Sequence, residues 1–183
     1  GTGKSYLLTT LIEGAKHLFR KSGDLVSQPK VLVMAPSACA AFVIGGQTIH
    51  SALSIDATSN IYNIRIKSSA EQVNLTEQYH NLEMAFVDEI SMVGSNMLQT
   101  IHESICQIKL DKTRAFGGCS VIACGDLYQL KPVGDNWVFK GSSLHGRPAN
   151  CAPNHWKILF KNYHLTETMR NRTDNAFKNL FKK

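Results

Sequence analysis

No Cys-x-x-Cys pair occurs in this chain, and its cysteines (Cys39, Cys106, Cys119, Cys124, Cys151) are an odd, scattered set. That argues against a closed disulfide framework and against a zinc site. Reduced thiols in an intracellular protein are the expectation. No apolar run approaches the roughly 18 to 20 residues that a helix needs to cross a bilayer, so a soluble protein without a membrane partner is expected. Internal repeats and low-complexity tracts are missing too. Acidic residues are scarce at one end only. Residues 144–183 hold Arg147, Lys157, Lys161, Arg170, Arg172, Lys178, Lys182 and Lys183 against Glu167 and Asp174, whereas residues 1–143 are balanced. All of the formal +6 charge is therefore C-terminal. Such a balance fits a polyanionic partner such as nucleic acid, and it equally fits a solvated face on a terminal helix. An initiating Met is also missing. The opening Gly1-Thr2-Gly3-Lys4-Ser5 reads as a loop entered halfway, so a piece of a longer protein is expected, with any targeting signal out of view.

What is present is ordinary for one globular core: 183 residues, 43% of them hydrophobic and spread along the whole length. Leu7, Leu8, Leu11, Ile12, Ala15, Leu18 and Phe19 recur at helical spacing after Ser5, so a helix is predicted from the glycines to about Lys21. Lys30–Pro36 is a short, nearly continuous apolar run closed by proline, as suits a buried parallel strand. Met84–Val87 before Asp88-Glu89, and Ser120–Cys124 before Gly125-Asp126, repeat that design. Between them Met97, Ile101, Ile105 and Ile108 mark a helix. Buried strands alternating with helices specify an α/β fold with a mainly parallel sheet flanked by helices, whose chemistry collects at the strands' C-terminal ends. Ser54–Asn81 reads as a polar insertion with some helix. Residues 141–154 read as an irregular connection to a final segment, 155–183.

Gly3-Lys4-Ser5 opening a helix is the second half of G-x-x-x-x-G-K-[ST], in which backbone N–H groups and a helix N-terminus cradle nucleotide phosphates. A glycine turn with an exposed lysine is the plainer alternative. Asp88-Glu89 at a strand end supplies one carboxylate suited to Mg²⁺ and a neighbour able to orient or deprotonate water. Two exposed acids starting a helix would look the same. Gly125-Asp126-Leu127-Tyr128-Gln129-Leu130 ends the third strand and places Gln129 where an amide could feel a γ-phosphate, or simply satisfy a turn. Together these strand ends are much harder to obtain by accident than any one alone.

The residues then resemble a family, the petite-integration-frequency (Pif) DNA helicases of helicase superfamily one, including relatives carried by Helitron transposons. The resemblance is carried by Ala35-Pro36-Ser37-Ala38-Cys39-Ala40-Ala41-Phe42 with Gly45-Gly46-Gln47-Thr48-Ile49-His50-Ser51. It continues through Val87-Asp88-Glu89-Ile90-Ser91-Met92-Val93, Phe116-Gly117-Gly118, Gly125-Asp126-Leu127-Tyr128-Gln129-Leu130-Lys131-Pro132-Val133 and Leu165-Thr166-Glu167-Thr168-Met169-Arg170. Ser37-Ala38-Cys39 stands where the usual form reads Thr-Gly-Val, Lys131 where Pro is common, and Asn171 where Gln usually follows the arginine.

The resemblance implies a RecA-like P-loop NTPase domain over residues 1–160, with residues 161–183 leading into a second RecA-like domain of the same parent chain. It implies ATP held by Gly1, Thr2, Gly3, Lys4 and Ser5, and Mg²⁺ held by Ser5 and Asp88. Glu89 would activate water, Lys4 would contact the β- and γ-phosphates, Gln129 would sense the γ-phosphate, and Arg170 would contact it from near the domain junction. For Arg170 a surface ion pair with Glu167 is the competing reading. Pro36, Ser37, Thr48 and His50 would touch single-stranded DNA, a hydrogen-bonded structural role being the alternative for His50. Trp137, Phe139 and Trp156 are read as core. The implied activity is ATP-dependent 5′-to-3′ DNA unwinding on single strands and duplex junctions, in DNA repair, recombination or telomere maintenance, in the nucleus or mitochondrion. This stretch alone is expected to be nearly inactive. Another P-loop ATPase acting on DNA, or an inactive mobile-element remnant that binds nucleic acid, are the competing functions.

Overall fold

The computed structural model describes residues 2–56, 69–143 and 154–167. Its elements are α1 (Lys4–Phe19), β1 (Val31–Ala35), α2 (Ala38–Val43), β2 (Gln47–Thr48), α3 (Ile49–Ala52), α4 (Ser69–Tyr79), β3 (Met84–Val87), α5 (Ser95–Ile108), β4 (Ser120–Ala123) and α6 (His155–Leu159). The strands form one sheet in the order β2-β1-β3-β4, and every neighbouring pair is parallel. In register, Val31 pairs with Met84 and Met34 with Val87, while Met84 pairs with Ser120 and Val87 with Ala123. The C-terminal ends of β1, β3 and β4 therefore lie side by side.

The central strands β1 and β3 are apolar at every position because both faces of the sheet are covered there, as in other parallel sheets built from crossovers, whereas β2 is polar and β4 opens with an exposed Ser120. Successive side chains point to opposite faces. Leu32, Met34, Ala85 and Val87 face a cluster with Ile49, Leu53, Leu75, Tyr79, Leu98, Ile101, Ile105 and Ile108. Val33, Ala35 and Phe86 face the other way, onto Leu8, Ile12 and Ala15 of α1 and onto Ala41 and Ile44. The result is a three-layer α/β arrangement with α1 on one face of the sheet and α5 on the other.

Helix α1 buries Leu8, Ile12 and Ala15, whereas Leu7, Leu11 and Leu18 are exposed, because only one stripe of this helix meets the sheet. The polar stretch 54–81 includes α4, whose Leu75 and Tyr79 enter the core. Trp137 and Phe139 are half-buried and stacked on each other, with ring centroids 5.6 Å apart. Trp156 stacks on Phe160 at 5.0 Å and packs against the larger cluster. Of the five cysteines, Cys39 is exposed, Cys106 and Cys119 are buried and Cys124 is half-buried, and all four are free thiols; Cys151 lies outside the described residues. No helix among the described residues is long and apolar enough to cross a membrane.

Candidate nucleotide site at the sheet edge

The site begins with a helix that has no cap of its own. Gly3 sits at φ 80°, a left-handed conformation natural to glycine, and turns the chain into α1 with no side chain capping the first turn and no acid in it. The N–H groups at this end of a 16-residue helix remain available to an anion, favoured further by the helix dipole. Lys4 is half-buried and Ser5 is exposed in the same turn.

Opposite this turn, β3 delivers the acids. The Asp88 N–H donates to the Met34 carbonyl at 2.9 Å, continuing the ladder one residue beyond the strand. Its carboxylate is buried, and Oδ1 accepts from the Glu89 N–H at 2.9 Å. Burial raises the Asp88 pKa above the usual carboxylate value, a rise opposed by the Glu89 N–H and by the Lys4 charge. A buried carboxylate in this position is short of positive charge, which is the condition a bound divalent cation would relieve. The Asp88 carboxylate and the Ser5 hydroxyl are oxygen donors of the type Mg²⁺ takes.

Glu89 is half-buried and adopts φ 48°, ψ 48°, the left-handed region. For a residue with a Cβ this costs roughly 1–2 kcal/mol, and it persists only where the surroundings enforce it. Here they do: the Ile90 N–H donates to the Cys124 carbonyl at 3.0 Å, and the Met92 N–H to the Glu89 carbonyl at 2.9 Å. The Cys124 N–H in turn donates to Val87 at 2.8 Å.

Cys124 was read from the sequence only as the end of a strand. It is half-buried, and its thiol pKa is raised first by burial and then by Asp88, with Lys4 opposing. Lys4, Asp88, Glu89 and Cys124 consequently share one electrostatic neighbourhood. Nothing in a lone cysteine at the end of an apolar run signals this. It emerges only from the parallel register of β3 and β4.

Gln129 is exposed. Its N–H donates to the Asp126 carbonyl at 2.9 Å and its Nε2 to Asp126 Oδ2 at 3.3 Å, so the amide here satisfies a turn. The loop then returns to α5. Asp135 accepts from the Asn96 N–H (3.3 and 3.1 Å) and the Met97 N–H (3.1 Å), capping α5 from 38 to 39 residues away in sequence. A Cβ on Gly94 would come within 2.2 Å of that carboxylate, which explains the glycine.

The residues assigned to a DNA strand line the end of β1 and β2. Pro36 follows β1. Ser37 Oγ caps α2 by accepting from the Ala40 N–H at 3.3 Å, and Thr48 Oγ1 caps α3 by accepting from the Ser51 N–H at 3.2 Å. His50 is half-buried in the first turn of α3. Both hydroxyls thus have local structural work. Gly1 and Arg170 lie outside the described residues.

Comparison with known proteins identifies the family. The profile of the PIF1-like helicase family matches residues 1–182. The ATP-dependent DNA helicase PIF1 of Candida albicans is 30% identical over 183 residues, covering 98% of this chain and 19% of the relative. The ATP-dependent DNA helicase Pif1 of Campylobacter jejuni is 30% identical over 138 residues, covering 73% of this chain and 27% of its own length. Among solved structures, Pif1 helicase from Bacteroides in complex with ADP-AlF3 and ssDNA superposes with a TM-score of 0.51 at 33% identity, covering 73% of this chain and 28% of that one. The Candida albicans Pif1 crystal structure gives a TM-score of 0.69 at 24% identity, covering 98% and 37%. The chain spans about a fifth of the length of the Candida relative.

Proposed function

Because the chain belongs to the PIF1-like helicase family, we propose that it is the first RecA-like ATPase domain of an ATP-dependent DNA helicase that moves 5′ to 3′ on single strands and opens duplex junctions. The observation that carries this reading is the uncapped start of α1, with Lys4 facing the buried Asp88 across the sheet edge. In this reading Gly1, Thr2, Gly3 and Lys4 hold the ATP phosphates, while Ser5 and Asp88 hold Mg²⁺, which when bound neutralises phosphate charge. Glu89 orients and deprotonates the attacking water. Gln129 leaves its turn contact with Asp126 to sense the γ-phosphate, and Arg170 contributes a cation at the junction with a second RecA-like domain. Pro36, Ser37, Thr48 and His50 border the strand path, where backbone and side-chain polar groups meet phosphates. The relative crystallised with ADP-AlF3 and ssDNA supports both ligands. Work in DNA repair, recombination or telomere maintenance, in nucleus or mitochondrion, completes the proposal. Strand displacement by the full-length protein tests it: duplexes with a 5′ single-stranded tail should be unwound in the presence of ATP, and equal unwinding of 3′-tailed duplexes would refute the polarity.

A further inference from the structure

We infer that Gly125 is a positioning residue for Glu89, acting through the backbone by which the end of β4 is pressed onto the 89–90 peptide. The inference rests on the ATPase reading above and adds to it a residue whose contribution is the absence of a side chain. A Cβ built on Gly125 would lie 2.8 Å from the Ile90 nitrogen, 3.0 Å from Ile90 Cγ2 and 3.4 Å from the Glu89 carbonyl carbon. The closest of these is backbone, which cannot swing aside as the tip of a long side chain can. Gly125 is not in the left-handed region, so conformational freedom is not what the position demands. It demands room.

What that room permits is the hydrogen bond from the Ile90 N–H to the Cys124 carbonyl at 3.0 Å. Glu89 lies between this bond and the Asp88 side chain, which accepts its own N–H at 2.9 Å. Held at both peptides, Glu89 keeps φ 48° without being glycine or asparagine. Although Ile122 and Cys124 at the end of β4 pack against the same cluster as α1, the three atoms nearest the added methyl all belong to Glu89 and Ile90 and none to the phosphate turn, so the strain falls first on the 89–90 peptide. A methyl at 125 should thus shift the Glu89 carboxylate relative to a bound nucleotide without removing any phosphate contact.

The test is Gly125→Ala in the full-length protein, with ATP turnover and nucleotide affinity measured together. Misplacement of a catalytic group by about an ångström costs on the order of 100-fold in rate, so kcat should fall between roughly 10- and 100-fold while KM for ATP and the binding of a fluorescent ATP analogue change less than about twofold. In a Glu89→Gln background the same substitution should cost almost nothing further, because the two changes act on one group. Unchanged kcat in Gly125→Ala, or a full additive loss on top of Glu89→Gln, would overturn the inference. Absence of ATP turnover in the parent protein would instead overturn the ATPase reading beneath it. Should the variant fail to fold, hydrogen exchange of the Ile90 amide in the unmodified protein decides: protection comparable with β3 is expected, and exchange at the rate of an open loop would overturn the inference.

Discussion

Acid should loosen this domain well before its carboxylates titrate, and the reason is His102. This ring lies on the inner side of α5, 4.1 Å from the ring of His155 and 5.1 Å from that of Phe116. Its Nδ1 is 3.4 Å from the Cys106 sulfur. Burial first, and the neighbouring His155 second, depress its pKa from 6.5 to about 4. Above pH 6.5 the ring is neutral in both folded and unfolded chains and its contribution is constant. Below that the unfolded chain takes up a proton that the folded ring refuses, so stability falls until the folded ring titrates near pH 4. At ~1.4 kcal/mol per pH unit the ceiling is roughly 3.4 kcal/mol. The ring is half open to water, which brings the expected loss between pH 7 and pH 4 to about 2 kcal/mol. The lowered carboxyls of Asp24 and Asp111 act mainly below their ordinary value of 3.8, and the raised Asp88 and Asp135 act in the opposite sense, gaining stability as they protonate. Urea denaturation at a series of pH values isolates the histidine when the parent is compared with His102→Phe, whose ring can pack against Phe116. The parent should lose about 2 kcal/mol more than the variant over this range. Parallel curves would refute the reasoning.

Asp135→Ala removes the cap on α5 and should cost about 1–2 kcal/mol, lowering the melting temperature by several degrees, whereas Asp135→Asn should lose less because it keeps an acceptor; a circular-dichroism melt checks both. Asp88→Asn removes a charge that burial disfavours, so the nucleotide-free protein should melt at a higher temperature than the parent while ATP turnover falls ~100-fold or more. A lower melting temperature would mean that Asp88 is stabilising where it stands.

Most of the sheet was legible because β1, β3 and all of β4 after Ser120 are apolar on both faces. The run predicted at Lys30–Pro36 is β1 at Val31–Ala35, Met84–Val87 is β3, and Ser120–Cys124 is β4 with its last residue released to the site. The helix through Ile101, Ile105 and Ile108 was visible for the same reason, a single stripe at helical spacing. Strand β2 was not, since Gln47 and Thr48 have no pattern to detect and pair only because β1 lies beside them. Short α2 and α3 were hidden as well. Their caps, Ser37 and Thr48, are the hydroxyl residues that the sequence suggested for DNA, and a capping pattern and a phosphate-contact pattern look alike in one dimension. Asp135 offered no signal, because the helix it caps begins 40 residues earlier. At the site, Lys4, Ser5, Asp88 and Glu89 could be named from residue type and spacing. Cys124 and the left-handed Glu89 required the register of β4 against β3.

If this sheet edge hydrolyses ATP to drive movement on DNA, ATP turnover by the full-length protein, measured with and without single-stranded DNA and beside Glu89→Gln, will show it. Turnover should rise with the DNA and drop by ~1,000-fold in the variant, as expected when the group that activates water is lost. Turnover indifferent to DNA, or undiminished in Glu89→Gln, would contradict it.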